Sequence, residues 1–213
     1  MNYENKYAPK NLAEYVWPSK TAKAKVGIYI KNEMDGHLLL HGRYGTGKTT
    51  LSKLLSLEIA RQTDPTCTEV WNLGIAGHQV NTASLDKLRI NACLVQFQLP
   101  KQLIVIDEAD QMTHKAMDSM KKVMDDTQAF CSFIFCTNYV GKIEGGIHSR
   151  CVDICFDSFD ENAMIKRAKT ILLAEGVELP DEQVKQWVVA SNGDYRQLMQ
   201  SLEIAVFSMD EAA

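Results

Sequence analysis

Zinc-finger spacing is missing from this 213-residue chain: Cys67, Cys93, Cys131, Cys136, Cys151 and Cys155 form no CxxC pair and have no neighbouring histidine ligand. The six are expected to be reduced core residues. No apolar run approaches the roughly 18 residues that a membrane span needs, and the amino terminus lacks a basic segment followed by an apolar one. The expectation is therefore no membrane contact and a soluble, reducing compartment. A general excess of positive charge is lacking as well. The formal net charge is -4 and the pI near 5.7, so nucleic acid can be met only through a local basic patch. Lys6, Lys10, Lys20, Lys23, Lys25 and Lys31, opposed only by Glu4 and Glu14, are one candidate. The same lysines also suit an exposed helix face. Internal repeats and low-complexity tracts are absent too.

What is present is an alternation of apolar runs and helical patterns, with hydrophobic residues making up 46% of the chain. That is enough for one substantial core and a small appendage. Leu38, Leu39 and Leu40 form a short run ending in a glycine-rich turn. Beyond it, Thr50 to Arg61 has helical composition, with Leu51, Leu54, Leu55 and Ile59 on one face. Leu103 to Ile106 stops at two acids, Phe133 to Phe135 stops at Cys136-Thr137-Asn138, and Val152 to Phe156 follows Arg150. Such runs bounded by helices predict a parallel sheet covered on both faces. From Asp157 to Asp160 the character changes, and only helical patterns follow. One helix is expected from Glu161 to about Glu175, stopped by Gly176, and another from Pro180 and Asp181 with Val184, Trp187 and Val188. A third follows Gly193, with Tyr195, Leu198, Met199, Leu202 and Val206 on a packing face. The expected division is 1–157 and 158–213.

Gly42-Arg43-Tyr44-Gly45-Thr46-Gly47-Lys48-Thr49 fits GxxxxGK[ST] between a predicted strand and a predicted helix, the setting that a phosphate-binding loop requires. Glycines allow backbone N–H groups to turn toward phosphate oxygens, and the helix amino terminus adds its positive dipole end. Lys48 neutralises the β/γ-phosphates and Thr49 can ligate Mg2+. Asp107, closing an apolar strand, can reach the same metal, and Glu108 can orient or deprotonate the attacking water. Asp110 is a candidate cap for the next helix. Asn138 is open between an ordinary turn asparagine and an amide that holds the attacking water or a γ-phosphate oxygen. Arg150 and Arg196 are the other candidates for phosphate contact, and each also suits a surface position.

Taken in order, these segments resemble the AAA+ ATPase modules of sliding-clamp loaders, the replication factor C small subunits and their phage counterparts. Lys6-Tyr7-Ala8-Pro9-Lys10 is similar to that family's KYRPK segment, which places Tyr7 and Pro9 near the adenine; Ala8 stands where arginine is usual. Ile106 to Asp110 resembles Walker B, Cys136 to Tyr139 sensor 1, Ser149-Arg150-Cys151 the SRC motif, and Gly193 to Arg196 sensor 2. The resemblance implies an α/β P-loop fold with a five-stranded parallel sheet sandwiched by helices, and a small carboxy-terminal helical lid. It implies ATP and Mg2+ at Gly42, Gly45, Thr46, Gly47, Lys48, Thr49, Thr50, Asn138 and Arg196, with Thr49 and Asp107 on the metal. It makes Glu108, Lys48, Asn138, Arg150 and Arg196 catalytic, Arg150 reaching a neighbouring subunit's ATP. The partners implied are a sliding clamp, primer-template DNA, and other AAA+ subunits in a homo- or hetero-oligomer.

The sequence also departs from the family elsewhere. Arg43 and Tyr44 replace the two prolines of GPPGTGKT. The chain ends soon after the lid, so the family's helical collar is not expected. Lys121-Lys122 stands where the family has LRR, and the region from Asn72 to Arg89, which would face DNA, matches poorly, leaving Lys87, Arg89 and Lys115 open as phosphate contacts. Two alternatives to a clamp-loading ATPase remain at this stage: a nucleotide-binding scaffold subunit, against which Glu108 argues, and another AAA+ remodeller such as a helicase loader or transposition regulator.

Overall fold

The computed structural model describes residues 2–31, 35–63, 73–81, 83–87, 102–129 and 131–210. Five strands, β1 (His37–His41), β2 (Leu73–Ala76), β3 (Gln102–Asp107), β4 (Cys131–Thr137) and β5 (Cys151–Cys155), form one sheet in the order β2-β3-β4-β1-β5. Every pairing is parallel. The helices are α1 (Tyr3–Lys6), α2 (Lys20–Lys31), α3 (Lys48–Thr63), α4 (His114–Thr127), α5 (Gly145–His148), α6 (Glu161–Ala174), α7 (Asp181–Ser191) and α8 (Tyr195–Asp210).

Consecutive strand residues point to opposite faces, so an unbroken apolar run requires cover on both sides. Leu39, Ile104, Ile106, Phe133 and Phe135 pack with Met117, Met120 and Met124 of α4 on one face. Leu38, Leu40, Val105, Ile134 and Ile154 pack with Val26 of α2 and Leu51 and Leu55 of α3 on the other. Ile59 lies in α3, but its side chain is outside the described residues. The helix begins at Lys48 rather than Thr50, because the lysine and threonine of the phosphate loop already belong to its first turn.

Four of the strands coincide with the apolar runs. The fifth, β2, is Leu-Gly-Ile-Ala at the sheet edge, paired only with β3, and too short and glycine-interrupted to read as a core strand. Asp110 does not cap α4: it lies in a 3-10 turn, and Thr113 accepts the Ala116 N–H at 3.2 Å instead. The cysteine expectation also needs correction. Cys131 and Cys136 are buried, Cys151 is half-buried and Cys155 is exposed, because the last residue of the edge strand β5 has a neighbour on one side only; Cys67 and Cys93 lie outside the described residues.

The three helices after Asp160 share a third apolar cluster that includes Met164, Ile171, Val184, Val188, Leu198 and Leu202, and Tyr3 of α1 is packed within it. Gly176 at φ 75 ends α6, and Asn192 and Gly193 adopt left-handed conformations between α7 and α8. Among the described residues, no helix is long and apolar enough to cross a membrane.

Candidate nucleotide site

In a parallel sheet the loops at the carboxyl ends of the strands collect on one edge, where ligands bind. Here β1, β4 and β3 are neighbours, so the loop after Leu40, the acids after Ile106 and the amide after Thr137 meet. They border a cavity of about 510 Å3 that also takes in Tyr7, Pro9, Thr50, Tyr195 and Arg196. Of the sequence candidates, Gly45, Thr46, Gly47, Lys48, Thr49, Asp107, Glu108 and Asn138 line it as well. Gly42 lies behind the lining, and Arg150 lies away from it.

Lys48 is 7% exposed. Its ammonium donates to the carbonyls of Gly42 at 2.8 Å and Arg43 at 2.5 Å, and burial pulls its pKa below the usual lysine range. Thr49 Oγ1 donates to Asp107 Oδ2 at 2.8 Å. Two oxygens at right angles on an octahedral magnesium, with bonds of about 2.0–2.1 Å, lie about 2.9 Å apart, so this pair fits that ion. Glu108 follows in the left-handed region at φ 50, unusual for a glutamate. Its N–H donates to Asp107 Oδ1 at 2.9 Å, and its carbonyl accepts the Gln111 N–H at 2.8 Å. Gly77, just past β2, makes room for this turn: a Cβ there would lie 2.1 Å from the Glu108 carbonyl oxygen.

The helical segment meets the phosphate loop directly. Gly45 carbonyl accepts the Tyr195 N–H at 3.0 Å, and Arg196 Nε donates to Glu4 Oε1 at 3.1 Å. On the other wall, the Tyr15 hydroxyl donates to the Gly47 carbonyl at 3.2 Å. Tyr7 is fixed from two sides: its hydroxyl donates to Glu175, and its carbonyl accepts Arg167 Nη2 at 2.9 Å. Tyr44, where the family has proline, hydrogen-bonds Tyr139 at 2.8 Å, and that bond helps push its phenol pKa up to about 12. Gly77, Tyr15, Arg167 and Glu175 were not legible as site residues, since each acts by a long-range contact that no local motif encodes.

The basic candidates are dispersed. Lys6 pairs with Glu175 at 2.5 Å, Lys25 donates to the Asp153 carbonyl at 2.5 Å, and Lys121 pairs with Asp118 at 2.8 Å and Glu144 at 2.7 Å. Lys87, Lys115 and Lys122 are exposed, while Asn72 and Arg89 lie outside the described residues.

A strand, a glycine loop and a helix carrying Lys48 and Thr49, with a second strand across β4 that ends at Asp107 and is followed by Glu108, define a P-loop nucleotide-binding protein. The family model for the ATPase family associated with various cellular activities (AAA) matches residues 38–158, and the chain belongs to that family. Replication factor C subunit 4 of Encephalitozoon cuniculi is 31% identical over 96% of this chain and 64% of its own length. Replication factor C small subunit 1 of Pyrobaculum aerophilum is 30% identical over 94% of this chain and 60% of its own. The chain thus spans 60–64% of the length of these two relatives. The RuvB Holliday junction branch migration motor of Thermotoga maritima superposes with a TM-score of 0.69 at 17% identity, over 92% of this chain and 64% of that one, a likeness of fold.

Proposed function

We propose that this chain is the ATP-binding and ATP-hydrolysing module of a clamp-loader-like complex, which places a sliding clamp on primer-template DNA. The observation that carries the reading is the meeting of Lys48, Thr49, Asp107 and Glu108 at one cavity, together with similarity, over 94–96% of this chain, to replication factor C subunits of which it spans 60–64%. In this reading residues 1–157 hold and cleave the nucleotide, and 158–213 are the lid that senses it.

Triphosphate entering the cavity draws the Lys48 ammonium from the Gly42 and Arg43 carbonyls to phosphate oxygens, whose charge offsets the cost of burying it. The backbone N–H groups of the loop and the start of α3 bind the same oxygens. Magnesium, when bound by Thr49 and Asp107, neutralises charge on the phosphates. Glu108 accepts the proton of the attacking water, and Asn138 positions that water or a γ-phosphate oxygen. Tyr7 and Pro9 border the adenine, and Arg196 brings the lid onto the phosphates. Arg150, outside the cavity of its own chain, acts on the nucleotide of a neighbouring AAA+ subunit in a homo- or hetero-oligomer.

Lys48→Ala is expected to abolish ATP binding by calorimetry, and unchanged affinity removes the site assignment. For the larger role, a sliding clamp should co-purify with the chain and its partner subunits in a non-hydrolysable ATP analogue and be lost in ADP. Recovery of a helicase in place of a clamp would overturn the clamp-loading reading and leave the ATPase site standing.

A further inference from the structure

Beside the phosphate loop and outside the cavity lining, the ends of β1 and β5 bring together a second set of donors. His41 and Cys155 are direct partners in the parallel register, and Asp153, two residues before Cys155, shares its face. The side chains of His41, Cys155 and Asp157 offer ligand atoms that all lie within 4.8 Å of one another. His41 Nε2 is 2.9 Å from Asp153 Oδ1, which is also 3.3 Å from His148 Nε2. Yet among the described residues both His41 Nε2 and Asp153 Oδ1 are shielded from solvent and make no hydrogen bond. Close approach off the line of a hydrogen bond leaves two buried polar atoms unsatisfied, a costly arrangement unless something else joins them.

We infer that His41, Cys155 and Asp157, with Asp153 beside His41 and the fourth position left to water, bind a divalent transition metal of the zinc class. Tetrahedral zinc with bonds of about 2.0 Å to oxygen and 2.3 Å to sulfur holds those ligands about 3.5 Å apart. Cys155 Sγ and Asp157 Oδ2 stand at 3.4 Å. Imidazole and thiol donors select zinc or cobalt over magnesium, whereas the Thr49 and Asp107 oxygens suit magnesium, so the two sites sort their ions by ligand softness. The signal is invisible to cysteine spacing because the ligands come from two strands far apart in sequence. The site also touches nucleotide chemistry, since Asp157 Oδ1 accepts the Arg43 N–H of the phosphate loop at 3.2 Å.

The test is anaerobic titration of the nucleotide-free chain with Co2+ in excess Mg2+, followed by displacement with Zn2+. One equivalent of Co2+ should bind with tetrahedral visible absorption and a thiolate-to-cobalt band. Cys155→Ser should abolish that band and weaken Zn2+ at least tenfold, and His41→Gln should weaken Zn2+ by a similar factor. Cys151→Ser should change neither. Circular dichroism in chelator controls for folding, and Cys155, being exposed, should tolerate serine. Absence of a cobalt–thiolate band in the unsubstituted chain, or a band that survives Cys155→Ser and so belongs to another thiol, overturns the site.

Discussion

Arg150 is gripped by Asp125 of its own chain: Nε and Nη2 meet the two carboxylate oxygens at 2.7 and 2.9 Å, while Nη1 donates to the Gly146 carbonyl at 2.8 Å. The two-pronged bond also holds the Asp125 carboxyl below its usual range. A residue that is to reach a neighbour's nucleotide must first leave this partner. The side chains are 35% and 56% exposed, and solvent screening keeps such an exposed pair weak, so the grip can be released.

Two variants separate the grip from the action in trans. In mixed assemblies, Arg150→Ala should lower the turnover of unsubstituted neighbours by about 10³, read as rates that fall below the additive line. Strictly additive rates argue against a role in trans. Asp125→Ala should leave ATP affinity of the isolated chain unchanged and raise turnover of the assembly slightly. A loss of turnover with Asp125→Ala would instead make the pair part of the working geometry.

Glu108 owes its conformation to a glycine thirty-one residues away, for only a residue without a Cβ lets the Glu108 carbonyl approach Gly77. Glu108→Gln should keep ATP affinity within about twofold and cut turnover by about 10² to 10⁴, the range for loss of a general base. Gly77→Ala should reproduce the turnover defect with little change in binding, because it disturbs the acid turn and leaves Lys48 untouched. Near-normal hydrolysis in Glu108→Gln excludes this carboxylate as the base.

The contrast between those two residues marks how far the sequence could be read. Glu108 was legible because a buried strand must end somewhere, and two acids at that end, downstream of a phosphate loop, have a chemical use. Gly77 was silent: β2 is four residues long, and its value comes from its place beside β3. The same division holds elsewhere. Apolar runs disclosed β1, β3, β4 and β5 because both faces of a parallel sheet are covered. Asp110 misled because an acid beside a helix start resembles a cap, whereas its carboxylate accepts the Thr137 hydroxyl at 2.7 Å. Arg150 and Arg196 could be picked out by charge, but Asp125 and Glu4, the groups that hold them, are contacts between distant parts of the chain.

Glu175 ties the amino-terminal segment to the end of α6, accepting from Lys6 at 2.5 Å and from the Tyr7 hydroxyl. The Lys6 hydrogen bond, then that of Tyr7, holds its carboxyl below the usual value. A depressed folded value means that the stabilisation is present above the unfolded value of about 4.3 and is lost as pH falls through the folded one. Lys6, raised chiefly by the same bond, sets the opposite edge: its contribution is full below about pH 10.4 and fades as pH rises through the folded value. Glu175→Gln should therefore lower Tm by a constant amount between about pH 6 and 9, and the difference should start to shrink as pH falls below about 4.3 and vanish only once the folded carboxyl is itself protonated. A difference that persists undiminished in acid would assign the effect to packing. Because Tyr7 lines the cavity, the same variant should weaken ATP binding at neutral pH.

Gly45 and Asp194 approach closely where the phosphate loop meets the helical segment. Gly45 has φ 70, and a Cβ there would lie 1.9 Å from Asp194 Oδ1. That oxygen cannot simply swing away, for it accepts the N–H groups of Arg196 at 2.8 Å and Gln197 at 3.1 Å, capping the start of α8. Gly45→Ala thus forces a choice between a strained loop and an uncapped helix. Either outcome should cost about 1–3 kcal/mol and, by parting the Gly45 carbonyl from the Tyr195 N–H, weaken ATP binding at least tenfold. Asp194→Ala alone loses the cap, at about 1 kcal/mol. The double variant separates the causes: with the obstructing carboxylate gone, Gly45→Ala should add only the backbone strain, so the two losses should sum to more than the measured total. Strict additivity would place the whole effect of Gly45→Ala in its own backbone and remove Asp194 from the account.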